Sequence, residues 1–129
     1  MDKPDINNAE LIFPPSDLVY RYASRSKDRL YFSVLDGGYS RLIEFDPITK
    51  DASMLDIPNN ESSYIISAST YHQDIYFRSV SWIHAGKIHV YDPIKTSLEY
   101  LDLEPEGKFD NPEGLTSKRI MVTGHDGIK

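Results

Sequence analysis

The sequence predicts an all-β protein assembled from repeated four-stranded antiparallel units. Three observations carry that reading. A strand motif returns: Asp28-Arg29-Leu30-Tyr31-Phe32-Ser33 is answered by Gln73-Asp74-Ile75-Tyr76-Phe77-Arg78, with Leu30 and Ile75 45 positions apart. A turn motif returns with it, Phe45-Asp46-Pro47-Ile48 matching Tyr91-Asp92-Pro93-Ile94 at 46 positions. No stretch carries helical periodicity strong enough to compete with the short, aromatic and β-branched runs. A repeat of this period marks stacked supersecondary units.

The elements follow in chain order. Residues 1–9 are polar and read as a frayed terminus. Glu10-Leu11-Ile12-Phe13-Pro14 resembles Met54-Leu55-Asp56-Ile57-Pro58, so residues 10–14 read as a latch strand, the outer strand of a unit begun elsewhere. The first unit covers 16–58, with strands near 18–24, 29–35, 40–46 and 53–57. The second covers 61–104, with strands near 63–69, 74–80, 86–92 and 98–103. Lys87-Ile88-His89-Val90-Tyr91 alternates polar and apolar, the pattern of a half-buried strand. Asp36-Gly37-Gly38 reads as a hairpin turn, since glycine takes positive φ without strain. Asp46-Pro47 and Asp92-Pro93 read as turns in which the aspartate bonds the backbone ahead and the proline presets φ. Pro58 and Pro105 close the fourth strands. Residues 104–113 read as a surface connection. Residues 111–129 read as an incomplete third unit, with Arg119–Gly124 its second strand and His125-Asp126-Gly127 a turn; Ile120 stands 45 positions after Ile75. Because the early markers are offset by 45 and the later ones by 46, one residue is inserted between Phe77 and Tyr91, in the segment that holds Trp82.

Composition narrows the function. Asp and Glu outnumber Lys and Arg by 20 to 14, for a net charge of −6, which argues against nucleic acid as a partner. With no cysteine, disulfides, zinc-thiolate sites and cysteine nucleophiles are excluded. No run approaches the ~20 apolar residues that span a bilayer as a helix, and the first residues lack a signal-peptide core. The expectation is a cytoplasmic protein with no membrane and no cofactor.

The Leu-Tyr-Phe strand, the Phe-Asp-Pro-Ile-Thr turn and the closing Leu-Asp-Ile-Pro resemble blades of virginiamycin-lyase, NHL and YncE-like β-propellers, over about residues 11–129. They also resemble kelch blades, although Ala52 and Leu98 stand where kelch units carry tryptophan. The resemblance implies two blades and part of a third. Propellers use about 4–8 blades. It therefore implies either a portion of a longer propeller or a ring completed by association of copies.

In such blades the second-to-third and fourth-to-first loops share one face, and function sits on loops held by a rigid scaffold. That face would carry Asp36, Gly37, Gly38 and Tyr39, then Trp82, Ile83 and His84, then Asn59 and Asn60, and finally His125 and Asp126. The candidate binding residues are Asp36, Tyr39, Trp82, His84, His125 and Asp126. Trp82 reads first as packing between blades and second as an exposed anchor. His84 and His125, in corresponding turns, read as solvent histidines; brought together, they would suit metal or acid–base chemistry. Asn111-Pro112-Glu113-Gly114-Leu115 resembles a blade start in gluconolactonase-like propellers, which makes Glu113 a weak metal candidate by that resemblance. Arg21, Arg25, Lys27 and Arg29 form a basic rim. No Gly-x-Ser-x-Gly elbow or glycine-rich phosphate loop occurs. The reading is a non-catalytic interaction module that presents its loop face to a protein partner or to itself. The alternatives are a portion of a lyase- or lactonase-type propeller enzyme and an oligomeric lectin-like ring.

Overall fold

A computed structural model describes residues 5–57 and 61–128. Its eight strands are β1 (Val19–Arg25), β2 (Leu30–Asp36), β3 (Tyr39–Phe45), β4 (Ala52–Met54), β5 (Ser62–Ala68), β6 (Ile75–Val80), β7 (Lys87–Asp92) and β8 (Ser97–Leu101). They form two four-stranded antiparallel sheets, ordered β1-β2-β3-β4 and β5-β6-β7-β8. The expected all-β class is what the chain adopts, and the two sheets resemble propeller blades without closing a ring. The helical content among the described residues is one 3₁₀ turn at Ile6–Asn8. No described helix is long and apolar enough to cross a membrane.

Turn chemistry sets the repeat. Asp46 Oδ1 accepts the backbone N–H groups of Ile48 (2.8 Å) and Thr49 (3.3 Å). Asp92 Oδ1 does the same for Ile94 (2.9 Å) and Lys95 (3.2 Å). Both turns then need a left-handed residue, and both fill it without glycine: Lys50 has φ 66° and Thr96 has φ 51°. A β-branched residue is poorly suited to that region. Thr96→Asn is therefore expected to stabilise the fold by about 0.5–1 kcal/mol, read as a rise in the urea midpoint at unchanged slope.

The inner hairpins match rung for rung: Leu30 pairs with Phe45, and Ile75 with Tyr91. In the first unit pairing continues to Asp36 and Tyr39, whereas in the second it stops at Ser79 and Lys87. The inserted residue thus opens the 81–86 loop. Each first strand carries a bulge, between Tyr20 and Tyr22 and between Ile65 and Ser67, again 45 positions apart. The partner registers differ by two residues: Tyr20 faces Val34, but Ile65 faces Phe77. A slip of two keeps every side chain on its own face, while a slip of one would invert the sheet.

The core lies between the sheets. The first contributes Tyr31, Leu42, Leu55 and Ile57, the second Ile75, Phe77 and Tyr91. Tyr31, Leu42, Ile75 and Phe77 are fully buried, each worth about 1.5–3 kcal/mol of transfer free energy. The Tyr91 hydroxyl crosses the interface to donate to Glu44 Oε2 at 2.7 Å, and burial, reinforced by that bond, pushes the phenol far above its ordinary pKa. At the opposite end, Lys27 N–H donates to the His72 carbonyl at 2.9 Å and Gln73 bonds Asp28, joining the two turns.

Two expected strands do not form. Residues 10–14 stay outside the sheet; instead Phe13 covers the outer face of the first sheet, 5.0 Å from Tyr20 and 4.9 Å from Phe32 between ring centroids. Residues 119–124 hold no strand, and Ile120, Met121 and Val122 are 72%, 50% and 71% exposed. The physical reason is that strands are stabilised by pairing, and among the described residues no further strand lies beside them. β4 ends at Met54, but Leu55 N–H still reaches the Leu42 carbonyl at 2.9 Å, carrying Leu55 into the core. Pro58, Asn59 and Asn60 lie outside the described residues.

Candidate functional site

The β2–β3 turn, the start of β5 and the β6–β7 loop meet at one end of the two sheets. The expected two-residue turn is present, with φ of 49° at Gly37 and 93° at Gly38, the double positive φ that suits a tight hairpin. A Cβ at Gly37 would stand 2.1 Å from Arg119 Nη2, so a side chain there would displace the guanidinium.

Arg119 arrives from the C-terminal segment and grips Asp36 with two hydrogen bonds of 3.1 Å. That bidentate contact holds the Asp36 carboxyl below the usual carboxylate range. Two guanidinium groups approach the Tyr39 ring, Arg41 5.5 Å and Arg119 5.4 Å from its centroid. Arg41 also donates to the Glu61 carbonyl at 3.4 Å.

The 81–86 loop is pinned from three sides. Ser81 Oγ accepts the N–H groups of Ile83 and His84, each at 3.2 Å. Asn111 N–H donates to the Ile83 carbonyl at 2.7 Å, and Ala85 N–H donates to Asp110 Oδ1 at 2.9 Å. The backbone donations from Ala85 and Gly107 hold the Asp110 carboxyl below its ordinary value. Beneath the loop, His84 Nε2 meets Glu61 Oε1 at 2.6 Å, with both side chains 4% exposed. His84 Nδ1 lies 2.5 Å from the Ala85 carbonyl. A carbonyl only accepts, so Nδ1 donates; the Glu61 contact then holds one further proton, on Nε2 or on the carboxyl.

His84 is therefore not the solvent histidine that its loop position suggested. It is a buried strut, because Glu61 gives its ring a partner inside. Trp82, two residues earlier, is 87% exposed, which corrects the expectation that it packs between blades. It borders a cleft of about 480 Å³ lined by Gly37, Gly38, Tyr39, Ser62, Val80 and Ser81.

The structure brings Asp36, Tyr39, Trp82 and His84 to one end of the sheets. His125 and Asp126 do not join them. Both are exposed, and Asp126 caps its own turn by accepting the Ile128 N–H at 3.2 Å. Glu113 is exposed, and among the described residues no three His, Asp or Glu side chains converge to hold a metal. Sequence reading missed Glu61, Arg41 and Arg119. Arg119 meets Asp36 across 83 positions and Glu61 meets His84 across 23, separations at which no local pattern signals contact.

A serine–histidine pair lies deeper. Ser79 Oγ and His89 Nε2 are 2.9 Å apart. Ser79 is 0% and His89 7% exposed, so no substrate reaches the hydroxyl. Burial lowers the His89 pKa; Glu61 opposes that shift, and Lys87 and His84 add to it. The unfolded chain therefore takes this proton first, at about pH 6.5. Stability from a neutral His89 is complete above that pH and declines as pH falls below it. His89→Gln is expected to reduce the drop in urea midpoint between pH 7.5 and pH 5.5.

By fold this is an all-β protein of two blade-like, unclosed sheets with a pinned loop rim. No family model matches the chain, and no curated protein matches it. Among solved structures it is similar to a post-proline cleaving enzyme from Rickettsia typhi, with a TM-score of 0.56 and 14% identity over 89% of this chain. The chain spans 17% of the length of that enzyme's chain.

Proposed function

We propose that this chain is a non-catalytic binding module whose cleft between the 37–39 turn and the 81–86 loop receives a peptide segment of a protein partner. The exposure of Trp82 carries the reading. The indole, a side chain enriched at binding hot spots, is 87% exposed on a loop fixed by the buried His84–Glu61 contact. Tyr39 and the glycine turn opposite give it a second aromatic surface and close backbone access. Among the described residues the nucleophile–base pair is buried, which supports binding over catalysis.

The fold similarity favours a second reading. These blades would be the non-catalytic portion of a peptidase, and the bound segment its substrate. Both readings are tested by panning a displayed peptide library on the immobilised chain. Trp82 is the sole tryptophan, so binding is followed in its fluorescence. Selected peptides are expected to shift the emission to the blue, and Trp82→Ala is expected to weaken them by at least about tenfold, or ~1.4 kcal/mol. Equal binding to Trp82→Ala would overturn the proposal. A strict requirement for proline in the selected peptides would favour the peptidase reading over the general one.

A further inference from the structure

The repeat shows which surface of the second sheet is left without a partner. The first sheet buries its Tyr31 face against the second, with Tyr31 and Leu42 at 0% exposure, Leu55 at 9% and Ile57 at 5%. Their counterparts one repeat later are Tyr76, Ile88, Leu101 and Leu103. All four are apolar or aromatic, yet Tyr76 is 41% exposed, Leu103 67%, and Ile88 and Leu101 are half-buried. The second sheet thus presents to solvent apolar side chains at four positions of a core surface, with Arg78, paired to Glu104, in the place of the buried Ser33.

What fits such a surface is already visible in the molecule. The Tyr31 face is covered by Ile75, Phe77 and Tyr91 of the second sheet. The counterparts of those residues one repeat earlier are Leu30, Phe32 and Phe45, on the outer face of the first sheet. The Tyr76 face and the outer face of the first sheet, where Phe45 is 4% exposed beneath Phe13, also agree in polarity. In the existing interface the Tyr91 hydroxyl donates to the Glu44 carboxylate. At the corresponding positions of the unmatched pair, Phe45 has no hydroxyl and Val90 has no carboxylate. A polar contact has been replaced on both sides at once by an apolar one.

We propose that the Tyr76 face of the second sheet docks the outer face of the first sheet of a second copy of this chain. The Phe45 ring then lies against Val90 and Tyr76, as Tyr91 lies against Glu44 and Tyr31. The contact joins two different faces, so association is head to tail and continues until the rotation closes. At two blades per copy, a ring of about 4–8 blades closes with two to four copies. Phe13 is the competitor. Its ring rests 5.9 Å from Phe45 and 4.9 Å from Phe32 by centroid, and it must leave for the second copy to seat.

The experiment is light scattering on the size-fractionated chain over a concentration series. The wild type is expected at two to four times the 14.8 kDa of one chain. Val90→Lys and Leu103→Glu are each expected to return it to one chain. Both side chains are partly or largely exposed, and unchanged circular dichroism would verify the fold. Phe13→Ala is expected to strengthen association, and Ile48→Glu, on the 84% exposed Ile48 of a distant turn, to leave it unchanged. Val90→Lys still offers an intact first sheet, so mixed with wild type it is expected to cap wild-type chains in mixed species. A wild type that stays at one chain at every concentration overturns the proposal. So does an assembly that survives both Val90→Lys and Leu103→Glu, or a Val90→Lys chain that joins no wild type.

Discussion

Glu61→Leu is expected to cost about 1–3 kcal/mol, because it leaves Nε2 of the buried His84 imidazole without its hydrogen-bond partner. The contact is 2.6 Å long, and both side chains are 4% exposed. Water does not compensate for the lost carboxylate at that depth, and the ring cannot turn away while Nδ1 stays bonded to the Ala85 carbonyl. For a domain of ordinary stability, about 5–15 kcal/mol, this is a large fraction of the total. Urea unfolding followed by circular dichroism measures it. The double variant Glu61→Leu/His84→Leu separates the value of the pair from the damage of breaking it. Apolar replacement of both partners of a buried hydrogen-bonded pair is often near neutral, so the double variant is expected to recover most of the loss. If the single variant unfolds at the wild-type midpoint, the pair is not a strut and Trp82 is not held by it.

Phe77→Ala is expected to cost about 3–5 kcal/mol, the range for truncating a fully buried aromatic ring. Phe77 is at 0% exposure, in the interface between the sheets, and its ring stacks on His89 at 5.1 Å. Its counterpart Phe32 has the same residue type and position in the repeat but is only half-buried, under Phe13 and Tyr20. Phe32→Ala is therefore expected to cost less, about 1–3 kcal/mol. The comparison holds side chain and strand constant and varies only the covering surface. A larger loss at Phe32 than at Phe77 would place the core on the wrong face of the first sheet.

All eight strands, their antiparallel order and the doubled aspartate turns were legible from the residues. Alternation within Lys87–Tyr91, the two Asp-Pro pairs and the Gly37-Gly38 pair act over a few residues, and the observed strands begin and end within about three residues of the expected bounds. The inserted residue was legible as well, since a change of offset from 45 to 46 can only be absorbed in a loop. The site was legible in part. Asp36, Tyr39, Trp82 and His84 share one end of the sheets because the order of the strands puts their loops there. Which of them points in or out was not legible. Nothing near His84 in the chain announces Glu61, and nothing near Trp82 announces that it faces solvent.

Residues 10–14 and 119–124 show the limit most clearly. Both have strand composition, and Ile120 even keeps the interval of 45 from Ile75. Neither forms a strand, because a strand is defined by its neighbour and composition supplies only half of the pair. Local chemistry determined the repeat, the turns and the alternation of each strand, since those depend on φ preferences and on the period of two. Tertiary structure alone decided which face of each sheet is core, that Glu61 buries His84, and that Arg119 reaches back to Asp36. Those outcomes depend on desolvation and pairing between groups far apart in the chain, and such energies exist only once the two sheets have met.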